Sequence, residues 1–104
     1  MSIVIVATAF PAAEYRTEVI AAFEKAMAAV HDAEPGCLLY ALHEGPDGRL
    51  VMIEKYADQD AVTAHVSGAG LAALRADLDG KLASALDVQV LTPHPAGSPQ
   101  KGVL

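Results

Sequence analysis

The stretch "EPGCLLYALHEGPDGRLVMIEKY", Glu34 to Tyr56, holds the chain's only cysteine, two of its three tyrosines and one of its four histidines. Such side chains can serve as nucleophile, hydrogen-bond donor, or acid and base. Cys37 has no basic neighbour in sequence and follows Pro35-Gly36 at a strand start. A reactive thiol needs a cation or a helix N-terminus to lower its pKa, so Cys37 reads as a buried, inert thiol. Glu54, in the middle of "LVMIEKY", is buried on whichever face it takes, and a buried carboxylate is paired or protonated. It either orients a histidine or binds a substrate hydroxyl, or it pairs with Tyr40, Arg49 or Lys55. Tyr40 and Tyr56 can hold substrate oxygens or simply pack across strands.

His65 lies beside Val62 and Val66 on the border of an apolar helix face. Imidazole ordinarily titrates at about 6.5, which suits proton abstraction at neutral pH. The residue is either a base aimed into a pocket or a structural histidine bonded to a strand carboxylate such as Glu54. His43 near a hairpin tip, His31 at a helix end and His94 in the tail read as structural or solvent-facing. No two histidines have the close spacing of a metal site, and one cysteine cannot build a Cys-x-x-Cys pair, so no metal site is expected.

These residues need elements to position them. "SIVIVATAF" is rich in β-branched residues and ends at Pro11, which predicts a strand buried on both faces. In "PAAEYRTEVIAAFEKAMAAVHDAEPG" the apolar Val19, Ile20, Phe23, Met27 and Val30 recur at helical spacing, and Pro35-Gly36 stops the helix. "GPDG" is turn chemistry, which makes "CLLYALHE" and "LVMIEKY" an antiparallel hairpin. With Glu44 facing Leu50, Leu42 opposes Met52, Tyr40 opposes Glu54 and Leu38 opposes Tyr56. The other face then carries Cys37, Leu39, Ala41 and His43 with Val51, Ile53 and Lys55. Asp58 is the expected N-cap of a short helix "QDAVTAHVS". After "GAG" a second piece, "LAALRADLDGKLASAL", is expected to be helical with Leu71, Leu74, Leu78 and Leu82 on one stripe. "DVQVLTP" alternates like a strand. Residues 1–93 thus read as one domain and 94–104 as an extended, Pro- and Gly-rich tail.

The order strand, helix, strand, strand, broken helix, strand is the split βαβ arrangement of an α+β ferredoxin-like sandwich: a four-stranded antiparallel sheet with helices on one face. Its second sheet face needs a cover, which two sheets packed face to face in a homodimer would supply. The apolar content of 53% agrees with such a partner surface. A formal charge of −6 with seven scattered basic residues argues against nucleic acid as a partner. The apolar N-terminus lacks a basic lead and is too short to span a bilayer, so no membrane partner is expected and a cytoplasmic protein is the default.

With the elements placed, the sequence resembles the antibiotic biosynthesis monooxygenase family, which includes the cofactor-independent quinol monooxygenases. The resemblance rests on Pro35, Gly36, Cys37 and Tyr40 on the second strand, Glu54 and Tyr56 ending the third, and Ala61, His65 and Ser67 on the helix that follows. It covers residues 3 to 93 in matching order. It implies a dimeric α+β barrel with an apolar pocket between sheet and helices, in which some relatives oxidise quinols or polycyclic phenols with O₂ and no metal or flavin. Others degrade haem, but this chain has no Trp and no Asn, and Leu74 stands where that branch places a haem-ligating histidine. Gly70 replaces a second histidine common among quinol-type relatives, and Tyr56 replaces a common Trp.

The resulting expectation is a cofactor-free monooxygenase acting on a small aromatic substrate, a quinol or polycyclic phenol. His65 and Glu54 are the candidate catalytic residues, and Tyr40, Tyr56, Phe23, Met52, Val66, Leu71 and Leu74 the candidate substrate-binding ones. Two other functions fit the same fold: a non-catalytic ligand-binding or structural protein, and an isomerase or lyase acting on an aromatic-derived acid. An arginine in the pocket would favour the last, with Arg16, Arg49 and Arg75 available.

Overall fold

The computed structural model describes residues 1–104. Strand β1 spans Ile3–Ala9, and a single 3₁₀ turn at Ala13–Tyr15 leads into helix α1, Arg16–Ala33. Strands β2, Cys37–Glu44, and β3, Leu50–Tyr56, form the hairpin; α2, Gln59–Val66, α3, Ala69–Leu78, and β4, Asp87–Leu91, complete the chain. The antiparallel strands lie in the order β2-β3-β1-β4, the ferredoxin-like arrangement that the element order predicts. Residues beyond Leu91 enter no further helix or strand. No helix is long and apolar enough to cross a membrane.

Each boundary has a local cause. Helix α1 buries Val19, Ala22, Phe23, Ala26 and Val30, the three-and-four rhythm that lays one face on the sheet. The hairpin turns where Gly48 takes φ +89°, a conformation that favours glycine. Asp58 caps α2 by accepting the backbone N–H of Ala61 at 2.9 Å. The core lies between the helices and one sheet face, where Phe23, Val19, Val30, Leu50, Met52 and Tyr56 are the largest fully buried side chains.

Three local expectations are corrected. The second long helical piece ends at Leu78, because Gly80 adopts φ +74° just beyond the Asp79 cap. Leu82 therefore leaves the leucine stripe and pairs with Pro11 in an isolated bridge. The hairpin keeps the expected pairs Tyr40 with Glu54, Leu42 with Met52 and Glu44 with Leu50, but an irregularity between Cys37 and Leu39 shifts the strand start. Cys37, not Leu38, opposes Tyr56, so the thiol moves to the helix side and Leu38 is left 56% exposed. Strand β1 is not sealed on both faces: Val6 and Thr8 are only half-buried, because no element covers the outer side of the sheet in a single chain.

The start of the hairpin is pinned to α2. A Cβ placed on Gly36 would sit 2.6 Å from the Cβ of Ala61, so only glycine lets the helix approach this closely. The Gly36 carbonyl also accepts the N–H of Ala57 at 2.9 Å. Gly36 thereby sets the height of α2 over the sheet and, one turn on, the position of His65.

Candidate active site

A cavity of about 120 Å³ lies between the inner sheet face, α1, α2 and α3. Ile5, Ala7, Phe23, Tyr40, Met52, Glu54, His65, Val66, Leu71 and Leu74 line it, together with Arg75, Leu86 and Val88. Eight of the nine candidate site residues therefore line this one cavity. The exception is Tyr56, fully buried behind the wall rather than on it. Its hydroxyl donates to Glu54 Oε1 at 2.6 Å, so Tyr56 reaches the cavity only through Glu54. Met27, the remaining pocket-or-core alternative on α1, is packed against the core and off the cavity wall.

The register explains how the polar groups meet. Tyr40 and Glu54 are directly paired across β2 and β3, and Ile5 opposes Glu54 on the other side. His65, in the last turn of α2, hangs over this pair: its ring centroid lies 5.5 Å from that of Tyr40 and 5.2 Å from that of Tyr56. His65 and Glu54 are each only 4% exposed.

One of the two alternatives for His65 bonds it to a strand carboxylate such as Glu54; its hydrogen bond goes to a different carboxylate. Nδ1 lies 2.8 Å from Glu34 Oε1, at the end of α1, while Nε2 is 3.8 Å from Glu54 Oε1, too long for a hydrogen bond. An ionised carboxylate can only accept, so against ionised Glu34 the donor is Nδ1–H, and a neutral imidazole then carries its lone pair on Nε2. Thirty-one residues separate Glu34 from His65, and no local pattern links them. The only signal was an acidic residue just before the Pro-Gly that stops α1.

Three polar atoms on the cavity wall take no hydrogen bond from the protein: His65 Nε2, Glu54 Oε2 and Tyr40 Oη. Yet no side-chain nitrogen or oxygen is both fully sealed and unpaired, so each of the three keeps accessible surface, and all three residues line the cavity. Their electrostatics differ. Burial, then the charge of Glu54, pushes the Tyr40 phenol well above its ordinary range, so it remains a protonated donor. Burial and the bond to Glu54 raise Tyr56 further. Burial also pushes the Glu54 carboxyl up, opposed by the Tyr56 bond and by His65. A lone-pair base, a neutral phenol and a carboxyl that holds its proton more tightly than usual thus face one apolar space. That set can bind a ring hydroxyl and remove its proton.

The remaining candidates fall elsewhere. His31 Nε2 is 2.9 Å from the Tyr40 carbonyl, and exposed His43 lies 3.1 Å from the Ala41 carbonyl through Nδ1. His94 is in the exposed tail. Cys37 bonds the Leu39 carbonyl at 3.4 Å, and burial followed by the charge of Glu34 pushes its thiol up, which disfavours the nucleophilic thiolate. No group of three His, Cys, Asp or Glu is placed to hold a metal ion. Among the arginines, Arg16 binds Glu44 at 2.7 Å and the Gly48 carbonyl, and Arg49 binds Asp47. Arg75 forms no ion pair and lies at the cavity.

Comparison with known proteins agrees with this architecture. A structure of Rv0793 from Mycobacterium tuberculosis is 27% identical, covers 94% of this chain and 100% of its own, and superposes with a TM-score of 0.87. A protein of Caulobacter crescentus CB15, described as a candidate antibiotic biosynthesis monooxygenase, is 29% identical over 86% of this chain and 87% of its own, with a TM-score of 0.82. A conserved protein from Methanosarcina mazei Go1, 17% identical over 88% of this chain and 91% of its own, shares the fold with a TM-score of 0.80. No curated protein matches the chain. The family described as antibiotic biosynthesis monooxygenase matches residues 2–77, a span that runs from β1 through the last turn of α3 and holds Glu34, Tyr40, Glu54 and His65. The family match spans well over half of the sequence, and the chain belongs to the antibiotic biosynthesis monooxygenase family.

Proposed function

We propose that the protein is a cofactor-independent monooxygenase that oxidises a phenol or quinol with O₂ in this cavity. The observation that carries the reading is the convergence of His65 Nε2, Glu54 Oε2 and Tyr40 Oη, unpartnered, on a cavity whose lining is apolar apart from them and Arg75. His65 takes the proton of a ring hydroxyl or of an acidic ring CH₂. Tyr40 donates to the oxygen that becomes electron-rich, and Glu54, backed by Tyr56, holds a second hydroxyl. The deprotonated substrate then supplies electrons to O₂, and the apolar surroundings keep water from competing. For an anthrone-type substrate the balance closes without a co-reactant. A ring CH₂ becomes C=O, four electrons pass to O₂, one oxygen atom enters the product and the other leaves as water.

Size limits the substrate. A dry cavity of about 150 Å³ holds one benzene ring, so the 120 Å³ here encloses roughly one ring. A second or third ring would extend beyond the cavity. The uncovered sheet face, with Val6, Leu39, Ala41, Val51, Ile53 and Leu91, supports a homodimer in which a second copy packs against it.

Arg75 supports a second reading. An uncommitted guanidinium beside an apolar cavity suits a substrate with a carboxylate, as an isomerase or lyase of an aromatic-derived acid would need. Oxygen-electrode assays across quinols, naphthols and anthrones, each with and without a ring carboxylate, separate the two. The monooxygenase reading expects O₂ consumption above the uncatalysed rate, falling about 10²-fold or more in His65→Ala. Uptake at the uncatalysed rate across the panel, or unchanged in His65→Ala, would overturn it.

A further inference from the structure

We propose that Glu34 is a relay and positioning residue through which the proton held by His65 exchanges with solvent, by a groove separate from the substrate cavity; this rests on the proposed function. His65 is 4% exposed and has two outlets: Nε2 into the cavity and Nδ1 onto Glu34. Substrate bound in a cavity of this size displaces the water that would otherwise carry a proton away. The other side of Glu34 is open. Its side chain is 14% exposed and borders a groove of about 420 Å³ among the end of α1, α2 and the start of α3.

The residues that shape the groove keep that carboxylate uncovered. Cβ atoms placed on Gly68 and Gly70 would lie 3.5 and 3.9 Å from Glu34 Oε2, so the two glycines leave this oxygen bare where side chains would roof it. Ala29, Ala33 and Ala64 at the rim are exposed and small. Cys37 also lines the groove, but with its thiol pushed up by burial and by Glu34 it is a poor rival acceptor. On the outward stroke the substrate proton binds Nε2, the Nδ1 proton passes to Glu34, and Glu34 loses it to water in the groove. On the return, Nε2–H protonates the oxygen that leaves as water, and a proton from the groove restores Nδ1–H. The imidazole and carboxylate end as they began.

The test has an arm that needs no substrate. The rate at which the His65 Nδ1 proton exchanges with water is read by NMR in wild type, Glu34→Gln and Gly70→Ala. Glu34→Gln can still accept the hydrogen bond but cannot take up the proton, and exchange is expected to slow by about tenfold or more. A methyl at Gly70 makes only ordinary contacts, 3.4 Å to Val30 and 3.7 Å to Ala29, so Gly70→Ala should fold, keep the Glu34 bond and slow exchange by partly roofing the oxygen. Unchanged exchange in Glu34→Gln overturns the proposal and sends the proton out through the cavity; slowing in Glu34→Gln with none in Gly70→Ala overturns the groove as its route. If a substrate is found, Glu34→Gln should lower kcat with little change in KM, and the reverse pattern counts against a relay. Failure of the whole substrate panel would sink the monooxygenase reading alone, since the exchange rates still decide the route.

Discussion

Gly36→Ala tests the link between backbone packing and the site. The added Cβ would lie 2.6 Å from that of Ala61, where carbon atoms at rest sit about 3.5–4.0 Å apart, so α2 must retreat by roughly 1 Å. Overpacking of this kind costs about 1–3 kcal/mol. In a domain of this size each kcal/mol moves Tm by about 4–8 °C, so a mid-range cost of about 2 kcal/mol predicts a fall of about 8–16 °C. The strain is local and reversible by design. Ala61→Gly removes the opposing methyl at a helix-propensity cost of about 1 kcal/mol or less, so the double variant should be more stable than the sum of the single changes by over about 1 kcal/mol. Urea unfolding followed by circular dichroism gives the four stabilities. The same step should loosen the His65–Glu34 bond, because Glu34 is two residues before Gly36 and His65 one helical turn beyond Ala61. The His65 Nδ1–H resonance should broaden or vanish in Gly36→Ala and return in the double variant. Additive stabilities within about 0.5 kcal/mol, or a Gly36→Ala protein as stable as wild type, would refute the packing argument.

Two further outcomes follow from the geometry. Burial raises the Glu54 carboxyl in the folded chain, so its contribution to stability is present below its unfolded pKa and lost as pH rises through the folded one. Glu54→Gln cannot ionise, so its stability relative to wild type should increase between pH 4 and pH 8, by about 1.4 kcal/mol for each pKa unit of difference; denaturant titrations across that range check it, and a flat difference would contradict it. Asp58→Ala removes the bond to the Ala61 N–H and should cost about 1 kcal/mol. Hydrogen exchange should place the resulting loss of protection in α2 ahead of the other helices.

Much of the fold was legible because its signals are local and periodic. The apolar rhythm of α1, the Pro-Asp-Gly turn and the Asp58 cap each predict an element that the structure has. The same register arithmetic placed Tyr40 beside Glu54, which is half of the candidate site. The misses have physical causes. The leucine stripe continues in sequence to Leu82, but the positive φ of Gly80 ends the helix after Leu78. The shift at Cys37 arises where β2 starts under α2, and no residue in "PGCLL" announces it. Glu34 and Arg75 join the site through the tertiary fold, one from the end of α1 and one from α3. Periodicity describes which face a residue takes, but not which distant face it meets.

The proposed reaction inserts oxygen from O₂ into a phenolic substrate in this cavity, with His65 as base. Its most direct measurement is mass spectrometry of the product formed under ¹⁸O₂ from whichever panel member is consumed, with wild type and His65→Ala compared at equal conversion. One ¹⁸O atom is expected in the product and the other in water, at a rate that collapses in His65→Ala. Product oxygen drawn from solvent, or equal labelling rates in the two proteins, would contradict it.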